Sequence, residues 1–135
     1  MKMELTDKQF RRLLDMVYIG NWILNSTRGG DRIQDYDEVE SLVFAQCENA
    51  DMPALYESAE EEIIPSRAFA EGGIHEAIMD YEDTVFFEIL AEELARRDMQ
   101  EEDLDEDNLE ELNERITTYI AEFERNGTDN IFINL

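Results

Sequence analysis

The chain has 135 residues, enough for one domain that buries about two thirds of its unfolded surface. It carries 35 Asp and Glu against 11 Lys and Arg, for a formal net charge of −24, yet 43% of its residues are hydrophobic. That apolar content argues against wholesale disorder, while the charge repels phosphate backbones and anionic membranes, so direct nucleic-acid binding is not expected.

The imbalance is uneven along the chain. Residues 1–34 hold six basic and four acidic side chains, whereas residues 35–135 hold five basic and thirty-one acidic ones. The single cysteine, Cys47, rules out an intrachain disulfide and suits a reducing compartment. The opening residues show no signal-peptide pattern, and no stretch approaches the ~20 apolar residues that span a bilayer. A bacterial, cytoplasmic protein without membrane attachment is the expectation.

Thr6-Asp7-Lys8-Gln9 reads as a capping box at the start of a first helix. Phe10, Leu13, Leu14, Val17, Tyr18 and Leu24 form its apolar face to about Ser26, and Gly29-Gly30 ends it. Asp35 or Asp31 is a candidate cap for a second helix that turns Tyr36, Val39, Leu42, Val43 and Cys47 inward and ends near Asn49. Residues 50–73, punctuated by Pro53, Pro65, Gly72 and Gly73, read as an irregular segment with a helical turn around 54–62. A short helix over 74–81 follows, and Asp83 caps a longer one with Phe86, Phe87, Leu90, Ala91 and Leu94 on its face. Residues 99–106 read as an acidic linker. Leu109, Leu112, Ile116, Tyr119, Ile120 and Phe123 then mark a last helix, stopped at Asn126-Gly127. The alternation of Ile131, Ile133 and Leu135 predicts a short extended or strand-like C-terminal tail. The predicted fold is all-α: a compact bundle of four or five helices in one acidic domain over 1–135.

Asp80-Tyr81-Glu82-Asp83-Thr84-Val85-Phe86-Phe87, with Leu90, Leu94 and Arg97-Asp98, resembles a pattern of small acidic bacterial proteins of unknown function. Gly20-Asn21-Trp22 and the stretch from Asp31-Arg32 through Tyr36-Asp37-Glu38-Val39-Glu40 are similar to the same group. The resemblance covers about a third of the chain. It implies a compact bacterial domain and no activity.

Several motifs invite chemistry. Asp103, Asp105, Asp107 and Glu114 take positions 1, 3, 5 and 12 of a calcium-binding loop. However, Leu109, Leu112 and Ile116 already step at helical spacing, so a helix must begin by about Glu106 in the stretch that a calcium loop would unwind. Acids there favour the positive end of that helix instead, and no metal is expected. Glu110-Glu111-Leu112-Asn113-Glu114 matches half of the magnesium motif of all-α nucleotide pyrophosphohydrolases, and the later half is missing. His75 is the only histidine, too few for a two-histidine zinc site or a di-iron bundle. Cys47 has no positive neighbour in sequence and reads as a small core residue.

Tyr18, Trp22, Arg28 and Arg32 form the candidate interaction patch, because aromatic and arginine side chains dominate binding hot spots. The competing reading puts Trp22 in the core and pairs the arginines with acids such as Asp37 or Glu40. No catalytic set assembles and no cofactor is called for. The function expected is a non-enzymatic protein-interaction or regulatory domain, binding a basic partner or self-associating. The alternatives are a divalent-metal enzyme using carboxylates alone (Asp15, Asp80, Asp83 and Glu88 being the first to inspect) and an acidic inhibitor that mimics DNA.

Overall fold

The computed structural model describes residues 1–100 and 105–135. The chain is predominantly helical, with one small antiparallel sheet. It divides into two compact units, Met1–Ile78 and Met79–Leu135.

In the first unit, helix α1 (Asp7–Asn25) starts at Thr6 with a capping box. The Gln9 amide N–H donates to the Thr6 hydroxyl at 3.2 Å, and the Thr6 N–H donates to the Gln9 side chain at 2.9 Å. Helix α2 (Gln34–Ala45) has neither Asp31 nor Asp35 as its cap. Ile33 occupies the N-cap position without a side-chain cap. Asp31 instead accepts from the Gly29 N–H and from Arg28, holding the interhelical turn.

The buried face of α2 also differs from the one predicted. Phe44 and Cys47 are fully buried and Val43 partly so, whereas Tyr36, Val39 and Leu42 face solvent. The helix is turned by about one residue, roughly 100°, from the predicted face. The aromatic core fixes that rotation: Phe44 packs edge-on against Phe69 with centroids 5.0 Å apart, and Leu14 and Phe10 complete the cluster. Phe69 belongs to a single turn, α3 (Arg67–Phe69), capped by the Ser66 hydroxyl.

The strand also lies elsewhere than predicted. Residues 50–73 contain a 3₁₀ turn (Pro53–Leu55) and a hairpin of β1 (Tyr56–Ala59) and β2 (Glu62–Pro65), in register Tyr56↔Pro65 to Ala59↔Glu62. Glu60 and Glu61 form the two-residue turn, both with positive φ (51° and 72°). That backbone favours hairpins because its twist matches the strands, but it is usually given to Asn and Gly. The C-terminal residues 131–135 adopt no strand; among the described residues the sheet consists of β1 and β2 alone. The Ile63 N–H donates to the Ser41 hydroxyl at 3.2 Å, which fastens β2 to α2.

Helix α4 (His75–Asp98) is continuous, in place of a short helix followed by a second one capped at Asp83. No Gly or Pro interrupts residues 75–98, and the Thr84 hydroxyl donates to the Asp80 carbonyl within the helix. Gly73, with φ of 107°, sets the bend before it. In the second unit Ala91 and Ala95 of α4 and Met99 just beyond it are buried, and Phe86 is exposed. Helix α5 (Glu106–Asn126) begins where the stripe requires, with Asp105 as its N-cap. Leu112 and Phe123 are buried, and Gly127 at φ 55° ends the helix. Phe123 stacks against Tyr119 and tilts against Phe87, with centroids 6.1 and 5.3 Å apart.

Candidate interaction site

Among the described residues, a connected set of polar side chains lies in the first unit, on the inner side of α1. Asn21 and Asn25 are one helical turn apart and both buried, Asn25 to 1% exposure. The Asn25 side chain donates to the Ile33 carbonyl at 3.0 Å and accepts from the Ile33 N–H at 2.8 Å. It thereby fixes the backbone of the residue from which α2 begins. Its amide also donates to Asn21 Oδ1 at 2.7 Å, and Asn21 Nδ2 donates to Asp37 at 2.9 Å. Arg32 closes on the same carboxylate with two hydrogen bonds of 2.6 and 2.7 Å.

Those contacts hold Asp37 below the usual carboxylate range, the Arg32 hydrogen bond contributing most. Glu40, one turn further along α2, moves the other way. Burial raises its pKa, and the charge of Asp37 adds to that despite a hydrogen bond from Asn21. Burial, with a contribution from Glu40, likewise raises the Tyr18 hydroxyl.

Tyr18, Trp22 and His75 adjoin this network. The Tyr18 hydroxyl and His75 Nε2 share a 2.6 Å hydrogen bond, and the His75 ring meets Tyr18 and Trp22 edge-on at 5.5 and 6.0 Å. Tyr18 also contacts Phe69 at 5.3 Å. Of the predicted patch, therefore, Tyr18 and Trp22 meet at His75 and are half-buried, and Arg32 is bound to Asp37. Arg28 stands apart at the end of α1, donating to the Leu24 carbonyl and to Asp31.

Asn21, Asn25, Glu40 and His75 were missed as members of one network. The signal was present in part: Leu14, Tyr18, Asn21 and Asn25 are spaced by four, three and four residues. Two amides thus occupy positions on a core-facing stripe, where an unpaired polar group would be costly.

The acidic candidates take other roles. Asp15 receives Arg11 at 2.6 Å and Arg12 at 2.8 Å. Asp80, Asp83 and Glu88 are exposed on α4. Asp105 accepts from the Asn108 N–H as helix cap, and Asp107 and Glu114 are exposed on α5, while Asp103 lies outside the described residues. Glu110 is exposed and Glu111 pairs with Arg115 at 2.7 Å. Among the described residues, no three His, Cys, Asp or Glu side chains are grouped to hold a metal ion. Burial raises the Cys47 thiol.

A separate feature lies on the outer side of α2. Tyr36, Val39 and Leu42 are 44%, 50% and 69% exposed, at three-residue spacing. Leu42 and Val43 then line a groove of about 480 Å³ against the start of α1, together with Met3, Leu5, Phe10 and Leu13. Asp7, Gln46 and Asn49 supply its polar edge. Among the described residues, no helix is long and apolar enough to cross a membrane. No protein-family model, curated protein or solved structure matches the chain.

Proposed function

We propose that the chain is a non-enzymatic protein-interaction module whose partner is a basic protein, acting in a bacterial cytoplasm. The observation that carries this reading is how the positive charge is disposed. Arg11, Arg12, Arg28, Arg32, Arg67, Arg96, Arg97 and Arg115 each form an ion pair with a carboxylate of the chain itself. The acidic surplus of a chain at −24 is thereby left to act on its surroundings. Such a field accelerates encounter with cationic partners and rejects anionic ones.

Tyr18 and Trp22 are half-buried beside His75, and Arg28 and Arg32 pair with Asp31 and Asp37 around the turn between α1 and α2. Affinity capture on the immobilised full chain from a bacterial soluble extract tests the reading. Retained proteins should be basic and should elute as ionic strength rises. Retention that is indifferent to salt, or of proteins without basic character, would contradict it.

A further inference from the structure

Helix α2 presents an apolar track that nothing else in the first unit covers. It runs from Tyr36 through Val39 to Leu42 and continues into the groove beside Val43, Leu13 and Leu5. From Tyr36 to Ala45 the helix rises about 13.5 Å, the length of about two and a half turns of a second helix laid alongside. Exposed apolar side chains in a row at helical spacing are what an amphipathic helix uses for anchorage in a groove.

The charge around the track selects the occupant. Exposed Asp35 and Glu38 lie on α2, which carries no basic side chain, and Asp7 stands at the groove's edge, whereas Asp37 is taken by Arg32 and Glu40 is turned towards Asn21. Among the described residues, no Lys or Arg lines the groove. A second copy of this chain would bring the same acids against these, and an anionic membrane would be repelled as well. A helix with an apolar stripe between flanking lysines or arginines meets both requirements at once.

We propose that the Tyr36–Val39–Leu42 face of α2, with the groove beyond it, is the docking site for a cationic amphipathic helix of a partner protein. This rests on the basic-partner reading above and adds the site and the chemistry of the ligand. The test is fluorescence anisotropy with two labelled synthetic peptides of leucine and lysine, one amphipathic and one of the same composition scrambled to destroy the stripe. The full-length chain should bind the amphipathic peptide about tenfold more tightly than the scrambled one. Leu42→Asp and Val39→Asp should each weaken that binding about tenfold, although each adds a charge that attracts a basic peptide. Ile23→Asp, at an exposed position on α1, makes the same charge change and should leave binding as it was.

Circular dichroism of each variant checks that the helices persist. Equal binding of the two peptides, or α2 variants that bind as the parent does, would overturn the site while leaving the basic-partner reading standing. Failure of both peptides to bind would sink that reading itself. A parent chain that sediments as a dimer and becomes monomeric on Leu42→Asp would also overturn the proposal, by showing a second copy on the track.

Discussion

Replacing Asn25 with alanine isolates what holds the start of α2. The side chain is almost wholly buried and makes three hydrogen bonds, one to Asn21 and two to the Ile33 backbone. Each neutral bond contributes about 1 kcal/mol net, so Asn25→Ala should cost about 3 kcal/mol. That is a large share of the ~5–15 kcal/mol that stabilises a typical domain. With a urea dependence of about 1–1.5 kcal/mol per molar for a unit of this size, the midpoint should fall by about 2–3 M. Trp22 is the only tryptophan and sits three residues away, so its emission during urea unfolding reports the first unit directly. Asn49→Ala is the control: that side chain is exposed, makes one hydrogen bond to Gln46, and should shift stability by less than about 0.5 kcal/mol. Equal midpoints for the two variants would refute the role given to Asn25.

Glu40→Gln should raise the urea midpoint at neutral pH, because burial disfavours the charged carboxylate there. The sign follows from linkage: with its folded pKa above the unfolded one, Glu40 lowers stability as pH rises through that interval, and the Gln variant should lose this slope. A variant less stable than the parent at neutral pH would contradict it. Asp37 is the opposite case. Its folded pKa lies below the unfolded one, so its contribution is present at neutral pH and is lost as pH falls through the ordinary carboxylate range towards the folded value. Asp37→Asn should therefore flatten that acid limb in a pH series of urea midpoints, and an unchanged limb would count against the Arg32 and Asn21 contacts. Converting Glu60-Glu61 to Asn-Gly should stabilise the hairpin by about 1 kcal/mol, since both turn residues hold positive φ. A fall in melting temperature on that change would refute the turn assignment.

What could be read from the sequence was local. Thr6 and Gln9 cap α1, the apolar stripe places the start of α5 by about Glu106, and Gly127 stops it, because each signal closes within a few turns; Asp105 as the cap was not read. The face of α2 was not legible. Tyr36, Val39, Leu42, Val43, Phe44 and Cys47 encircle much of that helix, and periodicity alone cannot choose between overlapping faces. The choice falls to Phe69, twenty-five residues beyond Phe44, which packs on Phe44 and leaves Leu42 outside. The hairpin was hidden by its turn, where two glutamates do what Asn-Gly usually signals. The candidate site was half visible: Tyr18, Trp22 and Arg32 were picked out by residue type. Asp37 and Glu40 were named as acids for the arginines, and Arg32 pairs with Asp37; Asn25, and the contact of Glu40 with Asn21, depend on segments that only the fold brings near.

In the proposed docking site an acidic surface frames an apolar helix face for a cationic partner. Isothermal titration of the full-length chain with the amphipathic leucine–lysine peptide, from low to physiological ionic strength, tests it most directly. Affinity should weaken about tenfold across that range as salt screens the carboxylates, while residual binding through the apolar track persists. An affinity that does not change with salt, or no binding at the lowest ionic strength by either heat or peptide anisotropy, would contradict it.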